Sequence, residues 1–129
     1  MHDTGIDNLI ASARAILASR RRPGLHYVGA AVRTRSGRVF SAVNLGATVG
    51  RASVCAEAIA LGMAAAAGDT DIELVVAVND RGEVVSPCGL CRENVSDIAP
   101  AARVLVPVAG GVEAVPIAAL LPNKFTKDG

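Results

Sequence analysis

Residues Ser53–Gly68 read SVCAEAIALGMAAAAG. Ala, Leu, Ile and Met fill most positions and Gly68 closes the run, so the stretch predicts a buried, Ala-rich helix. Cys55 and Glu57 break that pattern in its first turn. Each has an ordinary explanation alone: a lone cysteine is commonly a buried core thiol, and a first-turn acid complements the helix dipole. Their pairing acquires meaning from what lies around them.

Upstream, YVGAAVRT (27–34) and RVFSAVN (38–44) flank a short RSG turn and predict an antiparallel hairpin. The polar, Gly-containing loop LGATVGRAS (45–53) leads from that hairpin into the helix. Downstream, IELVVAVN (72–79) is a continuous β-branched run, the pattern of a strand buried on both faces. After the turn DRG and the segment EVVS, PCGLCRENVSDI (87–98) predicts a loop entering a helix, with Pro100 beyond its end. ARVLVPV and VEAVPI, joined through AGG, predict a second hairpin, and PIAALL a short helix before the tail PNKFTKDG. At the other end Ile6, Leu9, Ile10, Ala13, Ile16 and Leu17 recur at helical spacing behind the cap candidates Asp3 and Thr4. The run Arg20–Arg22 before Pro23-Gly24 reads as cations complementing a helix C-terminus. The order predicts one α/β domain over residues 1–129, with a mixed sheet of about five strands and helices on both faces. Parallel crossovers place helix starts along one edge of such a sheet, where α/β folds bind ligands.

Composition narrows the function classes. The chain carries 13 basic and 12 acidic residues, so it has no electrostatic footprint for nucleic acid or an anionic membrane. Aromatic residues amount to 2%, namely Tyr27, Phe40 and Phe125, too few for a base-stacking platform. An apolar content of 51% in 129 residues gives a packed core and favours buried subunit contacts. No apolar run approaches the ~20 residues of a membrane span. The start lacks the basic and apolar regions of a signal peptide, and the cysteine count of three is odd. These features read as a soluble, cytoplasmic protein with reduced thiols.

The three cysteines are not scattered. Cys55 opens one predicted helix and Cys88 and Cys91 open another, at the same predicted sheet edge. Three thiolates meeting there make a three-ligand zinc site with an open fourth position, the arrangement of catalytic zinc. Two helix N-termini offset part of the excess negative charge, and Arg51 and Arg92 flank the ligands as further donors to sulfur. Glu57, two residues beyond its ligand, fits the role of a proton shuttle for a zinc-activated water.

C-A-E followed by P-C-x-x-C is the three-cysteine signature of the zinc nucleoside and base deaminases. The chain resembles the cytidine deaminase family in its small-subunit form over nearly its whole length. VGAAVRTRSGRVFSAVN is similar to the family's first hairpin, VCAEAIAL and SPCGLCRE to its zinc motifs, and LLPNKF to its C-terminal motif. Within the family, GRASVCAEAIALG, VVSPCGLCRE and LLPNKFT most resemble the bacterial-type blasticidin S deaminase branch. The resemblance implies a three-layer α/β/α sandwich with a mixed five-stranded sheet, one Zn²⁺ per subunit, a free nucleoside substrate, and a homotetramer with shared active sites. It implies that Cys55, Cys88 and Cys91 bind zinc and that Glu57 moves the proton from water to pyrimidine N3. Hydroxide adds to C4, and ammonia leaves as Glu57 protonates the amino group. It also implies that the Ala56 backbone holds the base carbonyl and that Phe125 lies over the base of a neighbouring subunit.

The departures concern the sugar. The family carries Asn-x-Glu ahead of its first zinc motif, both side chains holding ribose; here Asn44 remains and Gly46 stands for the Glu, which opens space near the sugar. His26-Tyr27 replaces Phe-Pro, with His26 a candidate pocket residue, and Ala58 replaces an Arg that bonds the thiolates. Two other readings stay open. One is a redox or structural-zinc protein built on Cys88 and Cys91, which leaves Glu57 and Cys55 without a role; the other is a catalytically silent nucleoside binder.

Overall fold

The computed structural model describes residues 4–128. Its elements are α1 (Thr4–Arg20), β1 (Gly29–Thr34), β2 (Val39–Val43), α2 (Ala56–Ala66), β3 (Ile72–Val78), β4 (Val84–Val85), α3 (Gly89–Ile98), β5 (Arg103–Val108) and β6 (Gly111–Pro116). The cap candidate Thr4 is already helical, and Asp3 lies outside the described residues. The predicted PIAALL helix is a tight 3₁₀ turn, Ile117–Leu120, and a second such turn, Gly50–Ala52, interrupts the loop ahead of Cys55.

The main sheet runs β2-β1-β3-β5-β6, and β4 adds a sixth strand beside β3. Strand β1 pairs antiparallel with both β2 and β3, so those two point the same way, and β3 pairs parallel with β5. The chain therefore leaves β2 through α2 and the β3–β4 hairpin through α3 at one edge of the sheet. The departure from five strands sits here. Leu74 and Val75 of β3 pair with β5, whereas Ala77 and Val78 pair with β4. The short strand β4 takes over the end of β3 and delivers the chain to Cys88.

Both faces of the sheet are covered. Leu9, Ile10 and Ala13 of α1 pack on Ala31, Leu74, Val76, Val78 and Leu105. On the other face Ala60, Leu61 and Ala64 of α2 and Val95 of α3 pack on Val32, Phe40, Val75 and Val104. Alternate residues of β3 thus serve opposite layers, as its unbroken apolar run implies. Helix α2 ends as Gly68 implies. Gly68 adopts φ +71°, and the N–H groups of Gly68 and Asp69 bond the carbonyls of Ala65 and Ala64 at 3.0 Å. This is the paired closure of a Schellman motif.

Gly29 matters through its missing side chain. A Cβ there would overlap the carbonyl oxygen of Ala13 and lie 3.0 Å from Leu17 Cβ, so α1 rests directly on the β1 backbone. Gly29→Ala is expected to lift α1 from the sheet and cost about 1–3 kcal/mol by overpacking. A thermal scan checks this, and an unchanged Tm would show that α1 shifts without penalty.

Candidate active site

Two helices start at one place, and each starts on a cysteine. Cys55 is the N-cap of α2 and Cys88 the N-cap of α3, and both are extended. Cys91 lies in the first turn of α3 and is fully buried. The sulfurs of Cys55, Cys88 and Cys91 all lie within 4.8 Å of one another, and Cys55 Sγ and Cys88 Sγ are 3.5 Å apart. Tetrahedral ligands with Zn–S near ~2.3 Å sit about 3.8 Å apart, so the triad has the span a zinc ion requires. All three cysteines are free of disulfides.

The protonation chemistry of the donor set agrees. Burial, followed by the charge of Glu57, pushes the Cys91 thiol far up. Burial and a hydrogen bond with Cys88 raise Cys55 as well. Cys88 differs: burial pushes it up, but hydrogen bonds from the Cys91 backbone and from the other two thiols outweigh that and lower it. Three sulfurs so close cannot all ionise without a cation among them. Geometry and charge both fit a divalent metal with affinity for thiolate.

Cys55 and Cys88 line a pocket of about 200 Å³ together with Tyr27, Val28, Asn44, Ser53, Val54, Ala56, Glu57, Val85 and Ser86, while Cys91 is buried and does not line it. Glu57, on the first turn of α2, is 6% exposed. Burial pushes its carboxyl up, offset in part by hydrogen bonds from its own N–H and from Cys91. A carboxyl poised this way beside a metal can hold a proton or release it. Ala56, the first residue of α2, also lines the pocket. Helix geometry leaves its N–H without an intrahelical acceptor, so it is a donor for a ligand carbonyl.

Asn44 is buried and forms one wall. Its Oδ1 accepts from the N–H groups of Tyr27 (2.7 Å) and Val28 (2.9 Å), which leaves its amide NH₂ to donate into the pocket. His26 is not among the lining residues. Its Nδ1 donates to the Asn44 carbonyl oxygen at 2.7 Å, so it braces the wall from behind.

The flanking arginines do not bond sulfur. Arg92 donates from Nε to the Pro87 carbonyl (2.9 Å) and from a terminal nitrogen to the Leu120 carbonyl (3.0 Å), fixing the turn ahead of Cys88 to the C-terminal 3₁₀ turn. Arg51 is exposed on the Gly50–Ala52 turn and does not line the pocket. Compensation of the thiolates rests on the two helix starts. Phe125 is 80% exposed and lies outside its own chain's pocket.

The space expected beside Gly46 is already filled. A Cβ at Gly46 would lie 3.0 Å from the Gly24 carbonyl oxygen, 3.1 Å from that of Leu25 and 3.2 Å from Tyr27 Cε1. The chain's own 24–27 segment occupies that room. Tyr27 is a pocket residue the sequence reading did not assign, and the signal for it was its standing as the sole tyrosine beside a departure at 46.

Residues 7–106 match the family described as the cytidine and deoxycytidylate deaminase zinc-binding region. The chain is 46% identical over 111 residues to a blasticidin-S deaminase of Bacillus cereus, covering 80% of this chain and 79% of that protein. It is 31% identical over 103 residues to a cytidine deaminase of Halalkalibacterium halodurans, covering 78% of each. The crystal structure of cytidine deaminase from Mycobacterium leprae superposes with a TM-score of 0.80 at 28% identity, over 94% of this chain and all of that one.

Proposed function

The chain belongs to the zinc-binding cytidine and deoxycytidylate deaminase family, and from that premise we propose that it hydrolyses the 4-amino group of a cytosine nucleoside antibiotic of the blasticidin S type. In this reading residues 1–129 act as one domain, Cys55, Cys88 and Cys91 hold the zinc, and Glu57 carries the proton. The observation that carries the chemistry is the convergence of three sulfurs within 4.8 Å beside a buried carboxyl at one pocket.

Held by the three thiolates, zinc would supply Lewis-acid activation of a water molecule near neutral pH. Glu57 would take the proton that the attacking water loses and pass it to pyrimidine N3. It would then move the proton of the new C4 hydroxyl to the amino group, which leaves as ammonia. One water is consumed, the C4–N bond breaks and a C4 carbonyl forms. The Ala56 N–H holds the base carbonyl and the Asn44 NH₂ holds a sugar oxygen. Val54 and Val85 supply apolar lining to the same pocket.

Two facts support an antibiotic over plain cytidine. Identity to the blasticidin-S deaminase is higher than to the cytidine deaminase, and the sugar side of the pocket carries no carboxylate. Pyrimidine salvage on cytidine or deoxycytidine is the second reading, favoured by the retained Asn44. Phe125, exposed in the single chain, suits a homotetramer whose subunits complete one another's sites, and free cysteines suit the cytoplasm. No helix among the described residues is long and apolar enough to cross a membrane.

Ammonia release from the zinc-loaded protein, measured with blasticidin S, cytidine and deoxycytidine side by side, tests the assignment. The expected result is a kcat/KM for blasticidin S at least tenfold above either nucleoside. The reverse order would make the protein a salvage enzyme, and no release from any of the three would place its substrate elsewhere.

A further inference from the structure

We infer, resting on the deaminase reading above, that Tyr27 sets specificity on the sugar side of the pocket and that Gly46 is present to make room for it. The segment from Leu25 to Val28 is laced to Asn44–Gly46. Gly46 N–H donates to Leu25 O at 2.7 Å and Asn44 N–H to Val28 O at 3.2 Å. The Asn44 side chain receives the N–H groups of Tyr27 and Val28, and its carbonyl receives His26 Nδ1.

That lacing decides what position 46 can do. Two of the three atoms facing a Cβ there are the backbone carbonyl oxygens of Gly24 and Leu25, at 3.0 and 3.1 Å. Both belong to the backbone, and that of Leu25 is held by the Gly46 N–H, so neither swings aside as a flexible side chain would. A carboxylate at 46 would therefore require the 24–27 segment to give way. The residue that reaches the pocket from this side is Tyr27, 46% exposed, with its ring edge 3.2 Å from the Gly46 Cβ position.

The chemistry of the wall follows. A carboxylate selects sugars by accepting from their hydroxyls. Tyr27 presents a flat apolar face and a phenol, and Asn44 presents an amide donor. Such a wall holds a sugar by ring contact and by donation to its oxygens. It therefore admits cytosine nucleosides whose sugar hydroxyls are replaced or substituted, the class a carboxylate would reject.

Equilibrium affinities separate this from turnover. Kd values for blasticidin S and cytidine are measured by calorimetry in a zinc-loaded Glu57→Gln background, with Tyr27 intact, Tyr27→Phe and Tyr27→Ala. The preference for blasticidin S over cytidine is expected to fall at least tenfold with Tyr27→Ala and to stay within threefold with Tyr27→Phe. In proteins retaining Glu57, Tyr27→Ala is expected to act on KM and leave kcat within twofold. Gly46→Ala, which pushes the segment outward with Tyr27 intact, is expected to lower the same preference. A preference unmoved by Tyr27→Ala, in a protein whose Tyr27 form deaminates either probe, overturns the role of Tyr27 alone. A protein with wild-type Tyr27 and Glu57 that deaminates neither probe overturns the functional reading and this assignment with it.

Discussion

Glu57→Gln is expected to leave a folded, zinc-loaded protein that releases ammonia roughly 10²–10⁴-fold more slowly, the range a positioned acid–base group contributes. The substitution keeps size and shape at a 6% exposed position and removes only the ability to take and return a proton. Loss should fall on kcat, with substrate affinity retained. A second readout separates the chemical role from a structural one. Burial pushes the Glu57 carboxyl above its ordinary range in the metal-free chain, so its ionised form is disfavoured by the fold. Below the unfolded carboxyl's pKa both states hold the proton and the group has no effect. As pH rises past that value, the unfolded state ionises more readily and the fold loses stability. Metal-free Glu57→Gln should therefore be more stable than metal-free wild type at neutral pH, with the difference vanishing in acid. Near-wild-type ammonia release by the variant would remove Glu57 from the mechanism, and a difference that persists in acid would assign its effect to packing.

The second large effect is expected at Cys91. Cys91→Ser should reduce zinc from one ion per chain to a small fraction and abolish activity. A fully buried hydroxyl is a poor zinc ligand, and the two remaining thiolates cannot close the site. Stability should fall with it, because a ligand bound only by the folded state stabilises by RT ln(1 + [L]/Kd), about 2.7 kcal/mol at a hundredfold excess over Kd. Metal analysis by mass spectrometry and thermal scans with and without chelator measure both effects. Chelated wild type and untreated Cys91→Ser should coincide in Tm. Full zinc content in the variant would exclude Cys91 as a ligand. A metal-free wild type with a reversible Cys88–Cys91 disulfide would favour the redox reading.

The parts of the molecule legible in the sequence are those governed by local pattern. The alternation and turns of 27–44 gave the first hairpin, the unbroken run 72–78 a strand covered on both faces, and Gly68 the end of α2. The three cysteines whose sulfurs converge were legible because each sits at a helix start, which spacing alone exposes. What stayed hidden depends on contacts between distant segments. The guanidinium of Arg92 lies near the thiolates in sequence, yet the carbonyls of Pro87 and Leu120 claim it, and Leu120 is 28 residues away. Gly46 reads as an empty place only while the path of residues 24–27 is unknown. Strand β4 has two residues, too short for any periodicity, and only its pairing with Ala77 and Val78 makes it a strand.

The N-cap positions of α2 and α3 are Cys55 and Cys88, thiols where an oxygen side chain ordinarily opens a helix. A Ser, Asp or Asn in that place would secure the first turn by about 0.5–2 kcal/mol. Each helix forgoes that oxygen cap, and its first turn carries a sulfur in its place. An ion held by the three sulfurs would also pin both first turns, so acquiring metal would tie together helix starts separated by a helix and a hairpin. The catalytic centre is in this sense a late-setting joint of the fold. Protection of the amides at the two helix starts would then report metal occupancy, while the packed layers would not.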